Sequence, residues 1–151
     1  MIRNPRKKKL RIIGRREYID LPQLYMTQVE AKIDTGAYTS SLHCETLYIH
    51  NENSSSKLYF TTDPAQTHPF EFENFTQKKI KNSFGEMEER YVIKTRFRIG
   101  KKIINASVSL TSRDNMRYPV LIGRRILKGK FLIDPLEIHT GGLSLKTYLK
   151  Q

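Results

Sequence analysis

The chain reads as an all-β domain, a barrel or a sandwich of many short strands with little helix. Three observations lead there. Tyr91, Ile93, Thr95, Phe97 and Ile99 alternate with Val92, Lys94, Arg96 and Arg98, and Ile104, Ala106, Val108 and Leu110 alternate again just downstream. A period of two places alternate side chains on opposite faces of a strand, so these segments form a β-hairpin joined by Gly100-Lys101. Second, short apolar runs are each closed by Gly or Pro: Leu10–Ile13 by Gly14, Tyr18–Leu21 by Pro22, Val120–Ile122 by Gly123, and Phe131–Ile133 by Asp134-Pro135. Third, there is no internal repeat and no heptad pattern, and short strands at close spacing are the mark of all-β architecture.

Taken in order, residues 1–9 form a flexible basic arm and residues 10–151 a single domain. Over Tyr25–Ile33, Val29, Ala31 and Ile33 share one face. Asn51–Ser56 is a polar loop, Lys57–Thr62 a strand with Leu58 and Phe60 on one face, and Thr67–Phe75 a further strand carrying Phe70, Phe72 and Phe75. Asn82-Ser83-Phe84-Gly85 reads as a hairpin tip, with glycine available for a positive φ. Arg124–Lys128 makes one or two helical turns. Leu143–Leu149 alternates weakly.

Charge is the strongest bulk signal: 27 Lys and Arg against 15 Asp and Glu give a net charge of +12. Such a surface attracts polyanions, which include nucleic acid, anionic membrane and acidic peptides, and charge alone does not choose among them. The single cysteine, Cys44, rules out a disulfide framework within the chain and fits a reducing compartment. The basic N-terminus has no apolar run behind it, and no apolar segment has the length of a membrane span. The expected location is the cytoplasm.

The sharpest local feature is Ile33-Asp34-Thr35-Gly36-Ala37. An alternating apolar segment delivers a carboxylate at its end, followed at once by Thr and Gly. Gly36 allows the backbone to approach the carboxylate and donate an N–H, and Thr35 has a hydroxyl able to fix the turn across a symmetric interface. Asp-Thr-Gly alone is also an ordinary β-turn sequence. What distinguishes it here is Val120-Leu121-Ile122-Gly123-Arg124-Arg125-Ile126-Leu127 far downstream, two or three apolar residues, Gly, Arg and a short helix.

Together these segments resemble the active-site loop and the apolar-Gly-Arg helix of retropepsins. The whole chain more closely resembles the bacterial and archaeal family that carries the name ATP-dependent zinc protease. The resemblance rests on Ile12–Glu17, Leu21-Pro22, Ala31–Ala37, Thr39–His43, Ser83–Glu86, Glu89-Arg90, Leu110–Arg113, Pro119–Arg124 and Phe131–Pro135, which are collinear. It implies a closed acid-protease barrel with one short helix. It also implies company with ATP-grasp glutamate ligases and, in some members, trimming of glutamate tails. The zinc and ATP of that name find no support in the residues. His43, His50, His68 and His139 do not form His-Glu-x-x-His, neighbours His43 and Cys44 point to opposite faces of a strand, and no Gly-x-x-x-x-Gly-Lys loop is present. No metal and no cofactor is expected.

Peptide hydrolysis by carboxylates needs two of them sharing a proton, one as base toward water and the other as acid toward the carbonyl oxygen. The chain has one Asp-Thr-Gly, so the expectation is a symmetric homodimer in which Asp34, Thr35 and Gly36 of each subunit meet at the twofold axis. The alternative pairs Asp34 with Asp134 or Asp20 inside one subunit. Arg16, Arg90, Arg113 and Arg124 are candidates to bind an acidic or glutamate-tailed peptide, since Arg grips carboxylates through paired hydrogen bonds; a structural salt bridge is the plain alternative for each. Lys78–Arg90 is a candidate flap over the cleft. A competing reading is a nucleic-acid- or ribosome-associated β-module, with Lys7–Lys9, Arg15-Arg16, Lys78-Lys79, Lys81 and Lys101-Lys102 on phosphates and Tyr91, Phe97 and Tyr118 stacking bases. It leaves the pairing of Asp34-Thr35-Gly36 with Ile122-Gly123-Arg124 without a purpose.

Overall fold

Apolar alternation and the Gly and Pro stops between the runs set where strands begin and end. The computed structural model describes residues 10–82, 84–112 and 117–151; the expected arm over residues 1–9 lies outside the described residues. The strands are β1 (Arg11–Ile13), β2 (Arg16–Leu21), β3 (Met26–Ile33), β4 (Ser40–His43), β5 (Thr46–Glu52), β6 (Ser55–Thr61), β7 (Phe70–Phe72), β8 (Thr76–Lys81), β9 (Met87–Ile99), β10 (Lys102–Thr111), β11 (Val120–Ile122), β12 (Phe131–Ile133) and β13 (Leu143–Ser144). Two one-turn helices, α1 (Arg124–Leu127) and α2 (Leu145–Leu149), and a 3-10 turn over Pro22–Leu24 complete the described elements.

Six strands close into a barrel in the order β10-β4-β11-β3-β2-β9, with β9 pairing back onto β10. Closure leaves these strands without a free edge. The β9–β10 hairpin has the expected two-residue link, with Ile99 opposite Lys102 and Tyr91 opposite Leu110. Gly100 turns the link at φ 60°, a conformation that favours glycine. Ile93, Thr95, Phe97 and Ile99 point inward and are buried, while Lys94, Arg96 and Arg98 are exposed. Ile93, Phe97 and Ile99 meet Ile13, Leu21, Leu42, Leu58, Phe60, Ile122 and Ile126 in one continuous core. β8 extends the sheet beyond the ring as the partner of the first half of β9. Two three-stranded sheets, β12-β1-β13 and β5-β6-β7, flank the barrel sheet.

The site is placed by β3, β11 and β4. β11 pairs parallel with β3 and antiparallel with β4. The chain leaving β3 at Asp34 must therefore arch over the end of β11 before returning as β4 on its other side.

Two elements depart from the sequence reading. The polar segment Asn51–Ser56 is not a loop: β5 and β6 pair through it, with Asn51 opposite Ser56 and Glu52 opposite Ser55, leaving Asn53-Ser54 as the turn. A hairpin arm needs main-chain partners rather than an apolar face, and its Ser hydroxyls bond locally, Ser55 Oγ to the Glu52 carbonyl at 2.8 Å. At the other end, Leu143–Leu149 becomes a two-residue strand and then a second helix. Ser144 Oγ accepts the Thr147 N–H at 3.1 Å, and this N-cap decides against extended backbone.

Candidate active site

Ile33 is buried and fixes the end of β3, and the next residue, Asp34, is half-buried. The Asp34 N–H donates to the Ile122 carbonyl at 2.9 Å, so the carboxylate starts from the β3–β11 ladder. The Gly36 N–H donates to Asp34 Oδ1 at 2.9 Å, and the Ala37 N–H to the Asp34 carbonyl at 3.2 Å, which closes a turn over 34–37. Gly36 does not need the left-handed region. A Cβ there would lie 3.2 Å from Asp34 Oδ1, so glycine serves the close approach of backbone and carboxylate. Asp34 Oδ2 has no partner among the described residues, and Thr35 and Gly36 are exposed.

The far side of the loop hangs on α1. The Arg124 N–H donates to the Ala37 carbonyl at 2.8 Å and the Arg125 N–H to the Tyr38 carbonyl at 3.1 Å. Gly123 donates its N–H to Ser40 Oγ at 2.9 Å, and a Cβ on it would meet the Thr39 carbonyl oxygen at 2.6 Å and that of Ala37 at 2.9 Å. Apolar-Gly-Arg is thus the socket of the Asp34 loop. Arg124 Nη1 donates to the Thr35 carbonyl at 2.9 Å, and its guanidinium lies 5.7 Å from the centre of the Tyr38 ring. The two segments singled out in the sequence are therefore one unit.

The candidate substrate arginines separate. Arg124 holds the loop. Arg90 is paired with Glu88 on its own strand, at 3.1 Å. Arg16 opens β2, donates to the Tyr118 hydroxyl at 3.1 Å and lies 3.9 Å from Glu30. It lines a groove with Arg15, Lys32, Ile33, Arg117 and Tyr118, beside the Asp34 loop. Arg113 lies outside the described residues. The intramolecular partners considered for Asp34 are committed elsewhere. Asp20 accepts the Gln28 N–H at 2.8 Å at the other end of the β2–β3 ladder. Asp134 accepts the Leu136 N–H at 2.9 Å and the Tyr148 hydroxyl at 2.5 Å, and these donors, the hydroxyl first, hold its carboxyl below the ordinary carboxylate range.

The hairpin β8–β9 covers the segment expected to be a flap and pairs as far as Lys81 opposite Met87; Ser83 of the expected tip lies outside the described residues. Its β8 arm, at Lys78, Lys79 and Ile80, shares a cleft with Thr39, Ser40 and Arg125, next to where the Asp34 loop enters β4. Of the aromatic residues expected to stack bases, Phe97 is 0% exposed and belongs to the core, and Tyr91 packs edge-on against Phe75. Inward alternation on β9 is the reason, and it removes them from a nucleic-acid surface. His43 Nε2 sits 2.6 Å from Glu45 Oε1, Cys44 is buried, and among the described residues no three His, Cys, Asp or Glu side chains are grouped to hold a metal ion.

Sequence reasoning missed Glu17, which is 1% exposed. Its Oε2 accepts the Gly14 N–H at 2.8 Å and the N–H and hydroxyl of Thr140 at 3.0 and 3.2 Å, and Oε1 accepts the Gly141 N–H at 2.8 Å. A charge at an inward position of the alternating β2 was the available signal. It missed Ser40 as well, whose hydroxyl supports Gly123.

Residues 12–140 match the RimB-like family, described as "Retropepsin-like aspartic endopeptidase RimB". The chain belongs to that family. Its curated relatives carry a different name: a "Probable alpha-L-glutamate ligase" of Desulfotalea psychrophila is 30% identical over 93% of this chain and 32% of its own length. One of Shewanella halifaxensis with the same name is 33% identical over 83% of this chain and 29% of its own length. The chain thus spans about a third of the relatives it matches. A solved Legionella pneumophila protein described as of unknown function shares the fold, with TM-score 0.63 and 28% identity over 87% of this chain and 98% of its own. The family match agrees with the closed barrel and with the retropepsin resemblance. No helix among the described residues is long and apolar enough to cross a membrane.

Proposed function

We propose that the chain is one half of an aspartic peptidase that hydrolyses peptide or glutamyl amide bonds in acidic, glutamate-rich substrates. The observation that carries this reading is Asp34: a carboxylate at a strand end, oriented by the Gly36 N–H and by the Gly123–Arg124 socket, with no partner for its second oxygen among the described residues. Two such loops, one from each of two copies, would bring the two carboxylates together at a twofold axis with Thr35 and Gly36 beside them. At a separation of about 3 Å the pair cannot ionise twice, so one shared proton remains. The ionised member takes a proton from water as that water attacks the carbonyl, and the protonated member gives its proton to the carbonyl oxygen. Collapse of the resulting diol, with a proton passed to the departing amine, breaks the C–N bond.

The net charge of +12 suits an acidic substrate. The relatives' ligase name suits a module that acts on glutamate-bearing chains and keeps company with a glutamate ligase. The deciding experiment incubates glutamate-tailed and ordinary acidic peptides with the protein and with Asp34→Asn between about pH 4 and 8, the range that brackets carboxylate titration. Products are read by mass spectrometry, and the same samples are followed by sedimentation. Cleavage by a dimer and none by Asp34→Asn is the expected result. Cleavage that persists in Asp34→Asn, or in a protein that stays monomeric with substrate present, would overturn the dyad.

A further inference from the structure

The groove beside the Asp34 loop stands out in its charge balance. Elsewhere several cations find carboxylates: Lys57 with Glu71 at 2.8 Å, Arg90 with Glu88 at 3.1 Å, Arg98 with Asp20 at 3.9 Å. The groove collects Arg15, Arg16, Lys32 and Arg117 from three separate segments. Lys32 stands opposite Arg16 in the β2–β3 ladder, and the Arg15 carbonyl accepts the Ile33 N–H at 2.8 Å. One carboxylate, Glu30, comes near, 3.9 Å from Arg16, and it is also bound to His139 at 2.5 Å. Among the described residues no carboxylate lies within 4.0 Å of the charged groups of Arg15, Lys32 or Arg117. Among the described residues four cations of this groove have one carboxylate near them; like charges repel each other, and an anionic ligand relieves that repulsion.

Place and preparation add to charge. Lys32 lies on β3 two residues before Asp34, which directly follows that strand, so an anion held by Lys32 lies close to the Asp34 carboxylate. Arg16 is held ready by the Tyr118 hydroxyl, which removes much of the freedom a surface guanidinium would lose on binding. Ile33 supplies an apolar wall, as the methylenes of a glutamate side chain require.

We propose that this groove is the subsite for the carboxylate side chain of the peptide residue adjoining the scissile bond, with Lys32 and Arg117 setting the preference for an acid and Tyr118 positioning Arg16. This rests on the peptidase reading above and moves specificity away from Arg90 and Arg124, which the fold already employs. The bland alternative is that +12 of diffuse charge attracts any polyanion.

The test compares two peptides that differ only by Glu or Gln beside the bond cleaved by the wild type. Lys32→Glu and, separately, Arg117→Glu are expected to lower kcat/KM for the Glu peptide by about tenfold or more, chiefly through KM, while the Gln peptide changes by less than about threefold. Lys101→Glu, the same charge change placed in the β9–β10 link, is expected to leave the Glu/Gln ratio intact. The proposal is overturned if both groove variants keep the wild-type ratio, or if Lys101→Glu lowers it as much. Binding of the Glu peptide to Asp34→Asn by calorimetry gives a second readout. There, loss of binding on adding Lys32→Glu supports the groove even if no peptide is cleaved, an outcome that would sink only the peptidase reading. Polyuridylate displacing the peptide at lower concentration than the peptide itself would overturn the acidic-peptide assignment in favour of nucleic acid.

Discussion

Two carboxylates, Glu17 and Asp34, one on β2 and the other at the end of the adjacent β3, are treated by the chain in opposite ways. Glu17 is buried and accepts hydrogen bonds from Gly14, Thr140 and Gly141, so both its oxygens are occupied. It joins the turn before β2 to the segment before β13. Asp34 is half-exposed, and among the described residues its side chain accepts one N–H and keeps an oxygen unused. A buried charge is tolerable when donors saturate it, and a saturated carboxylate has nothing left for a substrate. Spare acceptor capacity in a rigid frame is what a general acid or base requires. Burial by itself would rank Glu17 first of the two, whereas spare acceptor capacity ranks Asp34 first.

The sharpest way to break this comparison is to remove each charge in turn. Asp34→Asn is expected to lower kcat by about 10²–10⁴-fold or more while the Tm stays near the wild-type value, because the amide keeps the Gly36 hydrogen bond. A large fall in Tm would show that Asp34 is structural after all. Glu17→Ala should do the reverse. Stranding the buried donors of Gly14, Thr140 and Gly141 is expected to cost roughly 3 kcal/mol, a Tm fall of about 10 °C in calorimetry. The molecules still folded at low temperature should cleave normally; a catalytic defect at unchanged Tm would contradict the assignment.

Gly123→Ala probes the frame between the two extremes. Its Cβ has no space beside the Thr39 and Ala37 carbonyls, so the loop or α1 must shift. A Tm loss of several degrees together with a drop in kcat is expected. Gly129→Ala, just past α1, supplies the contrast. No atom lies within 4 Å of the added Cβ, and the only cost is strain at a φ of 76°. A Tm loss with unchanged kcat is expected there, and equal kcat losses in the two variants would deny Gly123 its place in the socket.

The smallest effect concerns Asp134 and Tyr148. Their hydrogen bond lowers the Asp134 pKa and raises that of Tyr148. A depressed carboxylate contributes stability that is full above its unfolded pKa of about 4 and is lost as pH falls below it. A raised phenol contributes stability that is full below about pH 10 and is lost as pH rises beyond it. Tyr148→Phe should therefore flatten the outer edges of the stability–pH curve, measured by thermal unfolding from about pH 2 to 11. An unchanged curve would show that the pair contributes nothing in solution.

Several features are open to view in the sequence because their physics is local. The β9–β10 hairpin is legible from alternation and from Gly100-Lys101. Asp34-Thr35-Gly36 and Ile122-Gly123-Arg124 stand out because they break apolar runs with residues that serve turns. The arm at Asn51–Ser56 escapes notice because polar strands carry no periodic signal, and α2 because a single N-cap serine outweighs a weak pattern.

By itself, then, the sequence determined which residues face inward along the apolar, alternating strands, where Gly and Pro stop them, and that Asp34 ends a strand, since these depend on neighbours a few residues apart. Only the tertiary structure decided that β11 would lie between β3 and β4, that Arg124 would grip the Thr35 carbonyl, that Glu17 would meet Thr140 and Gly141, and that Arg15, Arg16, Lys32 and Arg117 would face one groove. Each of those arrangements joins residues far apart in the chain. They are fixed by closing the barrel over a shared core, a choice made by burial and main-chain pairing across the whole domain and written in no single segment.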